Sequence, residues 1–116
     1  MTQITSHVLD TSVGKPAEGI LITLHQQSGD NWQVLGSEKT NADGRVGSFL
    51  DDAASATPLP SGIYKLTFSL SDYYKKSNTK TFYPHVDVVF EIGGDGQHYH
   101  VPLLLNPFGY STYRGS

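Results

Sequence analysis

The 116-residue sequence contains no cysteine, so disulfide staples, zinc-thiolate centres and thiol nucleophiles are excluded together, and any metal would need His, Asp or Glu ligands. It is also poor in charge. Only 16% of residues are charged, and 8 Lys+Arg against 11 Asp+Glu leave a net charge of −3, which gives no broad basic surface for a nucleic acid. Apolar runs are short. None approaches the ~20 residues of a membrane-crossing helix. The stretch Met1 to His7 has neither the basic start nor the apolar run of a secretory signal. A soluble, cytoplasmic protein working without nucleic acid or membrane is therefore expected. Aromatics and glycine are plentiful by contrast: 7 Tyr, 5 Phe and 12 Gly, with 37% hydrophobic residues, suffice for one small core and a single domain over residues 1–116.

Hydrophobicity alternates with period two almost throughout, in short runs punctuated by Gly, Asp, Asn and Pro, which predicts an all-β chain. Between Ile63 and Leu70, Tyr64, Leu66, Phe68 and Leu70 share one face, opposed by Lys65, Thr67 and Ser69. Between His85 and Ile92 the apolar set is Val86, Val88, Phe90 and Ile92. Further strands are expected over Ile4–Asp10, Gly19–Gln26, Trp32–Lys39, Gln97–Leu105 and near Tyr110–Arg114, six or seven in all. Gly93-Gly94-Asp95-Gly96 reads as a turn that returns the chain as a hairpin, because glycine adopts positive φ freely. Helical pattern is confined to residues 69–78, with Ser71-Asp72 as the cap. Asp51 to Ser61, rich in Ala and Pro, reads as a long loop. Strands at this spacing predict a two-sheet antiparallel sandwich with one short helix.

One strand departs from the inside-outside rule. Alternation puts Tyr99, Val101, Leu103 and Leu105 on one face and His98, His100, Pro102 and Leu104 on the other, so neither face is conventionally polar. With the first set in the core, the second needs cover, and a second subunit is the economical source; small-molecule sites form readily at such interfaces. Solvated residues are the commoner role for two strand histidines, but the apolar neighbours weaken that reading. A metal site is another, since His98 and His100 project together and His7 would complete a three-histidine zinc set. His7 shares a face with Thr5 and Leu9, opposite Ile4 and Val8, and so also leaves the core. Asp10-Thr11-Ser12 reads as a strand-ending turn in which Asp10 bonds local N–H groups and has no catalytic role. His25 and His85 read as surface residues.

Only two basic residues are arginine, Arg45 and Arg114. Arg45 follows the turn Asn41-Ala42-Asp43-Gly44, which presents its guanidinium at a loop edge, where a rigid fork of donors suits planar anionic or carbonyl-rich ligands. A surface salt bridge is the plainer use. Tyr113-Arg114-Gly115-Ser116 places large functional side chains where tails usually carry none, which implies a docked segment.

With these residues in view, the sequence resembles the 5-hydroxyisourate hydrolases, purine-catabolic relatives of the hormone carrier transthyretin. The resemblance covers essentially the whole chain. It rests on His7-Val8-Leu9-Asp10, Thr40-Asn41-Ala42-Asp43-Gly44-Arg45, His98-Tyr99-His100-Val101-Pro102-Leu103-Leu104-Leu105 and Tyr110-Ser111-Thr112-Tyr113-Arg114-Gly115-Ser116, whose final tetrapeptide is highly specific. Transthyretin carriers share the Tyr-Ser-Thr run but lack that tetrapeptide and the histidine pair, so a carrier of small aromatic ligands is the alternative. Asn106 stands where the family usually has Ser before the Pro. The resemblance implies a transthyretin-like sandwich of eight strands and a homotetramer with sites in a channel between dimers. It also implies hydrolysis of 5-hydroxyisourate to 2-oxo-4-hydroxy-4-carboxy-5-ureidoimidazoline, without metal or cofactor, in urate degradation. Carried over by motif, His7, Arg45, His100 and Tyr113 are catalytic, with the base open between His7 and His100. His98, Arg114 and Ser116 join His7, Arg45 and Tyr113 in binding substrate.

Overall fold

The computed structural model describes residues 3–51 and 57–116. In chain order the strands are β1 (Ile4–Asp10), β2 (Lys15–Pro16), β3 (Leu21–Ser28), β4 (Asn31–Lys39), β5 (Arg45–Val46), β6 (Gly62–Ser69), β7 (His85–Ile92), β8 (Tyr99–Asn106) and β9 (Gly109–Thr112). Helix α1 (Ser71–Lys76) lies between β6 and β7. One sheet runs β2-β1-β8-β9 with β5 also on β1, and the other runs β4-β3-β6-β7.

The alternating runs build this arrangement directly. Tyr64, Leu66 and Phe68 of β6 and Val86, Val88 and Ile92 of β7 join Ile4, Val8, Val101, Leu103 and Leu105 of the other sheet in one buried cluster. Each such side chain contributes about 1.5–3 kcal/mol by leaving water. The all-β sandwich expected from the sequence is the fold observed. Among the described residues no helix is long and apolar enough to cross a membrane.

Several local expectations need correction. The glycine turn after β7 makes no hairpin: β7 pairs with β6, whereas β8 pairs with β1 and β9, so the turn carries the chain from one sheet to the other. Gly94 and Gly96 do take positive φ, 76° and 78°, but turn chemistry fixes a local reversal and leaves the next partner open. β1 and β8 run parallel, the exception in an otherwise antiparallel sandwich. Parallel neighbours need a long crossover, and here it includes the whole second sheet. β2 and β5, two residues each, are too short to show alternation and account for the strands beyond the six or seven expected. Residues 52–56 of the expected loop at Asp51–Ser61 lie outside the described residues.

Helix α1 falls within the expected span, but its N-cap is Leu70 with no side-chain cap bond, so Ser71-Asp72 does not cap it. It is held from outside. Tyr74 is buried, and the Tyr73 hydroxyl donates to Asp10 Oδ2 at 2.7 Å. Asp10, only 4% exposed, also accepts from Ser12 N at 3.0 Å, the local role foreseen for it. It thereby ties the end of β1 to the helix. Burial, then the Asp10 bond and charge, push the Tyr73 phenol well above its usual range; burial and Asp10 push Tyr74 up to about 12. At the β8–β9 turn, Asn106 Oδ1 accepts from Phe108 N at 3.0 Å, so the residue that replaces the usual Ser closes the turn itself.

Tyr73→Phe leaves a carboxylate oxygen of buried Asp10 without this donor. Hydrogen bonds to charged groups contribute about 1.5–3 kcal/mol, and stability should fall by that order in urea unfolding followed through Trp32, the single tryptophan. An unchanged midpoint would show that the bond carries no net stability.

Candidate active site

The parallel register sets Thr5 beside His100, His7 beside Pro102 and Leu9 beside Leu104. His7 and His100 therefore leave the core on the same outer face and meet there. His7 Nδ1 lies 2.7 Å from His100 Nε2, with ring centroids 4.9 Å apart and planes 26° from parallel. Thr5 Oγ1 is 2.7 Å from His100 Nδ1 and 2.8 Å from His98 Nε2. On the core side, Ser6 Oγ donates to Val101 O at 2.6 Å and locks the two strands in this register.

Arg45 arrives from the other edge of β1, where β5 pairs antiparallel with Arg45 opposite His7. The preceding turn is built as the sequence predicts: Asn41 Oδ1 accepts from Asp43 N (2.9 Å) and Arg45 N (3.0 Å), and Gly44 N donates to Asn41 O (2.8 Å). Gly44 has φ 71°, and a Cβ there would stand 2.5 Å from Val8 O. Only glycine lets this turn close against β1, where Val8 N donates to Gly44 O at 2.8 Å. The Arg45 side chain is exposed beside the histidines.

The third wall is the last residues of the chain. Gly115 N donates to His100 O at 2.8 Å, and a Cβ on Gly115 would lie 2.6 Å from His100 Cδ2 and 3.2 Å from Pro102 Cγ. This close approach gives part of the outer face of β8 cover from within the chain, beside the second subunit expected there. The chain's own tail lies over His100 and Pro102, both buried, while His98 stays exposed and Leu104 half-buried.

A depression of about 220 Å³ opens between Thr5, Arg45, Gly47, His98, His100 and Ser116. His7 does not line it but joins it through His100 and its register with Arg45. Two residues carried over by motif are not brought here. Tyr113 and Arg114 line a neighbouring cleft of about 250 Å³ with Val88, Tyr99 and His100. The Arg114 guanidinium lies 4.6 Å over the Tyr99 ring and donates to Gln97 Oε1 at 3.0 Å, so it anchors the tail. His100 borders both spaces. His85 is exposed as expected, whereas His25 is half-buried and packs edge-on to Trp32. Thr5 goes unmarked in the sequence, because a threonine in a strand is what β-propensity predicts anyway. The only signal for it is the β1–β8 register.

Both central imidazoles sit below the ordinary histidine value of 6.5. Burial is the main cause for His7, followed by the Arg45 charge; for His100, burial is followed by His7, Arg45 and His98. Near pH 7 the pair is neutral, with one ring donating to the other, and can take up a proton. The ring nitrogens turn on one another and on Thr5 rather than converging on a point. Among the described residues no group of three or more His, Cys, Asp or Glu is placed to hold a metal ion, so the three-histidine zinc set is not formed.

Arg45→Gln removes a positive charge that disfavours both imidazolium forms. The NMR titration midpoints of His7 and His100 should then move up toward 6.5. Midpoints that stay in place would show that the Arg45 charge does not hold the two imidazoles down.

Fold and site together define a transthyretin-type sandwich carrying a hydrogen-bonded histidine pair on its outer face. The HIUase/Transthyretin family model matches residues 4–115. A probable 5-hydroxyisourate hydrolase of Caenorhabditis elegans is 49% identical over 113 residues, covering 97% of this chain and 81% of that one. The 5-hydroxyisourate hydrolase of Mus musculus is 42% identical over 115 residues, covering 97% and 94%. The solved 5-hydroxyisourate hydrolase of Klebsiella pneumoniae superposes with a TM-score of 0.84 at 36% identity, covering 100% of both chains. Transthyretin of Sparus aurata superposes at 0.88 with 26% identity, covering 99% and 97%. The chain belongs to the HIUase/Transthyretin family.

Proposed function

We propose that this enzyme hydrolyses 5-hydroxyisourate to 2-oxo-4-hydroxy-4-carboxy-5-ureidoimidazoline, with His7 and His100 moving the protons and Arg45 holding the ring. What supports this is the 2.7 Å bond between two imidazoles, both biased to the neutral form, beside a guanidinium. The substrate comes from the names of the hydrolase relatives. Opening a ring amide forms one bond, from water oxygen to the carbonyl carbon, and breaks the carbon–nitrogen bond. A neutral imidazole takes the proton from water as the oxygen attacks, and the resulting imidazolium returns it to the departing nitrogen. Arg45 donates to the developing oxyanion, an effect worth ~3 kcal/mol for a well-placed donor. His98 and Ser116 line the same depression, where the ring would lie. Tyr113 enters by its motif, from the cleft that shares His100.

The proposal extends to a homotetramer. Leu9 and Leu104 lie half-buried on the outer face, and Phe108 and Tyr110 are exposed where β8 turns into β9, an apolar surface for other subunits to cover. A carrier of aromatic ligands is not favoured: identity is 36–49% to the hydrolases cited and 26% to the transthyretin.

Ultraviolet absorbance, with 5-hydroxyisourate generated from urate by urate oxidase in chelator-containing buffer, should show its decay accelerated by the protein. His7→Ala, His100→Ala and Arg45→Ala should each lower turnover at least ~100-fold with the assembly intact. Unchanged decay with folded wild type ends the hydrolase reading, and near-normal turnover in one variant removes that residue's role.

Gly115→Ala tests the third wall, since its Cβ would meet the His100 ring at 2.6 Å. Displacing a catalytic ring by a fraction of an ångström should cut kcat on the order of 10-fold. A kcat within twofold of wild type would mean that the tail gives way and does not position the ring.

A further inference from the structure

We propose that Thr5 is a positioning residue for the imidazole pair. Its hydroxyl is the reversible link in a hydrogen-bond chain running from exposed His98 through Thr5 and His100 to His7, and this chain returns protons between solvent and His7. The inference rests on the hydrolase reading for its chemistry and on geometry for its connectivity. Thr5 Oγ1 bridges His98 Nε2 at 2.8 Å and His100 Nδ1 at 2.7 Å, and His100 Nε2 continues to His7 Nδ1 at 2.7 Å. A hydroxyl has one proton, so it donates to one ring and must accept from the other. The whole chain therefore has a direction.

With all three rings neutral, two arrangements satisfy every bond. In one, His98 Nε2–H donates to Thr5, Thr5 donates to His100 Nδ1, His100 Nε2–H donates to His7 Nδ1, and the His7 proton sits on Nε2. In the other, His7 Nδ1–H donates to His100 Nε2, His100 Nδ1–H donates to Thr5, Thr5 donates to His98 Nε2, and His98 carries its proton on Nδ1. The two differ by one shift of each bridging proton. Passing from the second to the first takes one proton in at His7 Nε2 and releases one at His98 Nδ1; the reverse step delivers one at His7 and takes one up at His98. No oxidant or further reactant is needed, and charge balances. No hydrogen bond among the described residues engages His7 Nε2, which leaves that end of the chain open to exchange a proton, and His98 at the other end is exposed beside the depression. Thr5 links them because its position opposite His100 in the parallel register fixes the hydroxyl between the two rings.

The test compares wild type with Thr5→Val, which keeps the β-branched shape and removes the hydroxyl, and with Thr5→Ser, which restores it. Thr5→Val should lower kcat about 10-fold or more with KM within twofold, and Thr5→Ser should recover most of that loss. Nitrogen-15 shifts of His98 and His100, read in the folded proteins without substrate, should change together in Thr5→Val and return in Thr5→Ser. In kcat, Thr5→Val combined with His98→Leu should lose no more than the worse single variant, as expected for groups acting through one chain. Unchanged shifts, an unchanged kcat, a loss that serine does not rescue, or fully additive losses would each overturn the proposal. Should wild type fail to accelerate hydrolysis, the catalytic reading falls by that result alone, while the nitrogen shifts still decide whether the chain exists.

Discussion

Seven consecutive register pairs between parallel β1 and β8 set positions 4–10 against 99–105, and every feature of the site depends on them. A slip of one residue would turn His7 and Thr5 inward and expose Ile4 and Val8, because side chains alternate with a period of two. The buried set Ile4, Ser6 and Val8 and the Ser6–Val101 bond make that slip costly. Parallel pairing imposes a second condition. The chain must build the other sheet between the two strands, so residues 93 apart in sequence meet only once the sandwich closes. The site is thus a product of the whole fold, with no local segment able to form it.

Once the strands are set, electrostatics decides what the histidines can do. A charged imidazole on this face would have to leave water and stand near a guanidinium, so both effects favour the neutral form. The scarcity of acidic side chains here matters: the described residues lining the depression include no Asp or Glu to favour imidazolium. Arg45 therefore helps keep both imidazoles neutral, and from the same position its exposed guanidinium lines the depression. Its place is not free to drift, since Gly44 closes on the β1 backbone and Asn41 holds the turn from behind.

Strand identity and facing were legible because each rests on a local pattern. Tyr64-Leu66-Phe68 and Val86-Val88 alternate cleanly and are buried as alternation requires, and Tyr99-Val101-Leu103-Leu105 take the core face expected of them. The His98/His100 oddity and the Arg45 turn were equally local and pointed to the outer face on which these residues line one depression. Partnerships were not legible. Gly93–Gly96 has the chemistry of a hairpin and delivers a change of sheet; β2 and β5 are too short for a period. The Tyr73–Asp10 bond joins positions 63 apart with no pattern between them. Thr5 has the same character: an ordinary strand residue whose importance comes entirely from its neighbour across the ladder.

The final residues show how a short motif can be demanding for physical reasons. Thr112 stands opposite Leu103, and the bridge from Gly115 to His100 continues that register three residues further along β8. Between them Pro102 has no N–H to give, so the ladder lapses there, and Thr112 Oγ1 instead donates to Pro102 O at 2.7 Å. Arg114 turns to the Tyr99 ring and pins the tail from the opposite side, while Gly115 faces the His100 ring with no room for a side chain. Ser116, one residue on, is thereby delivered to the depression. An arginine to hold, a glycine to pass the imidazole and a residue beyond it to line the site must come in that order, because alternation along an extended chain permits no other.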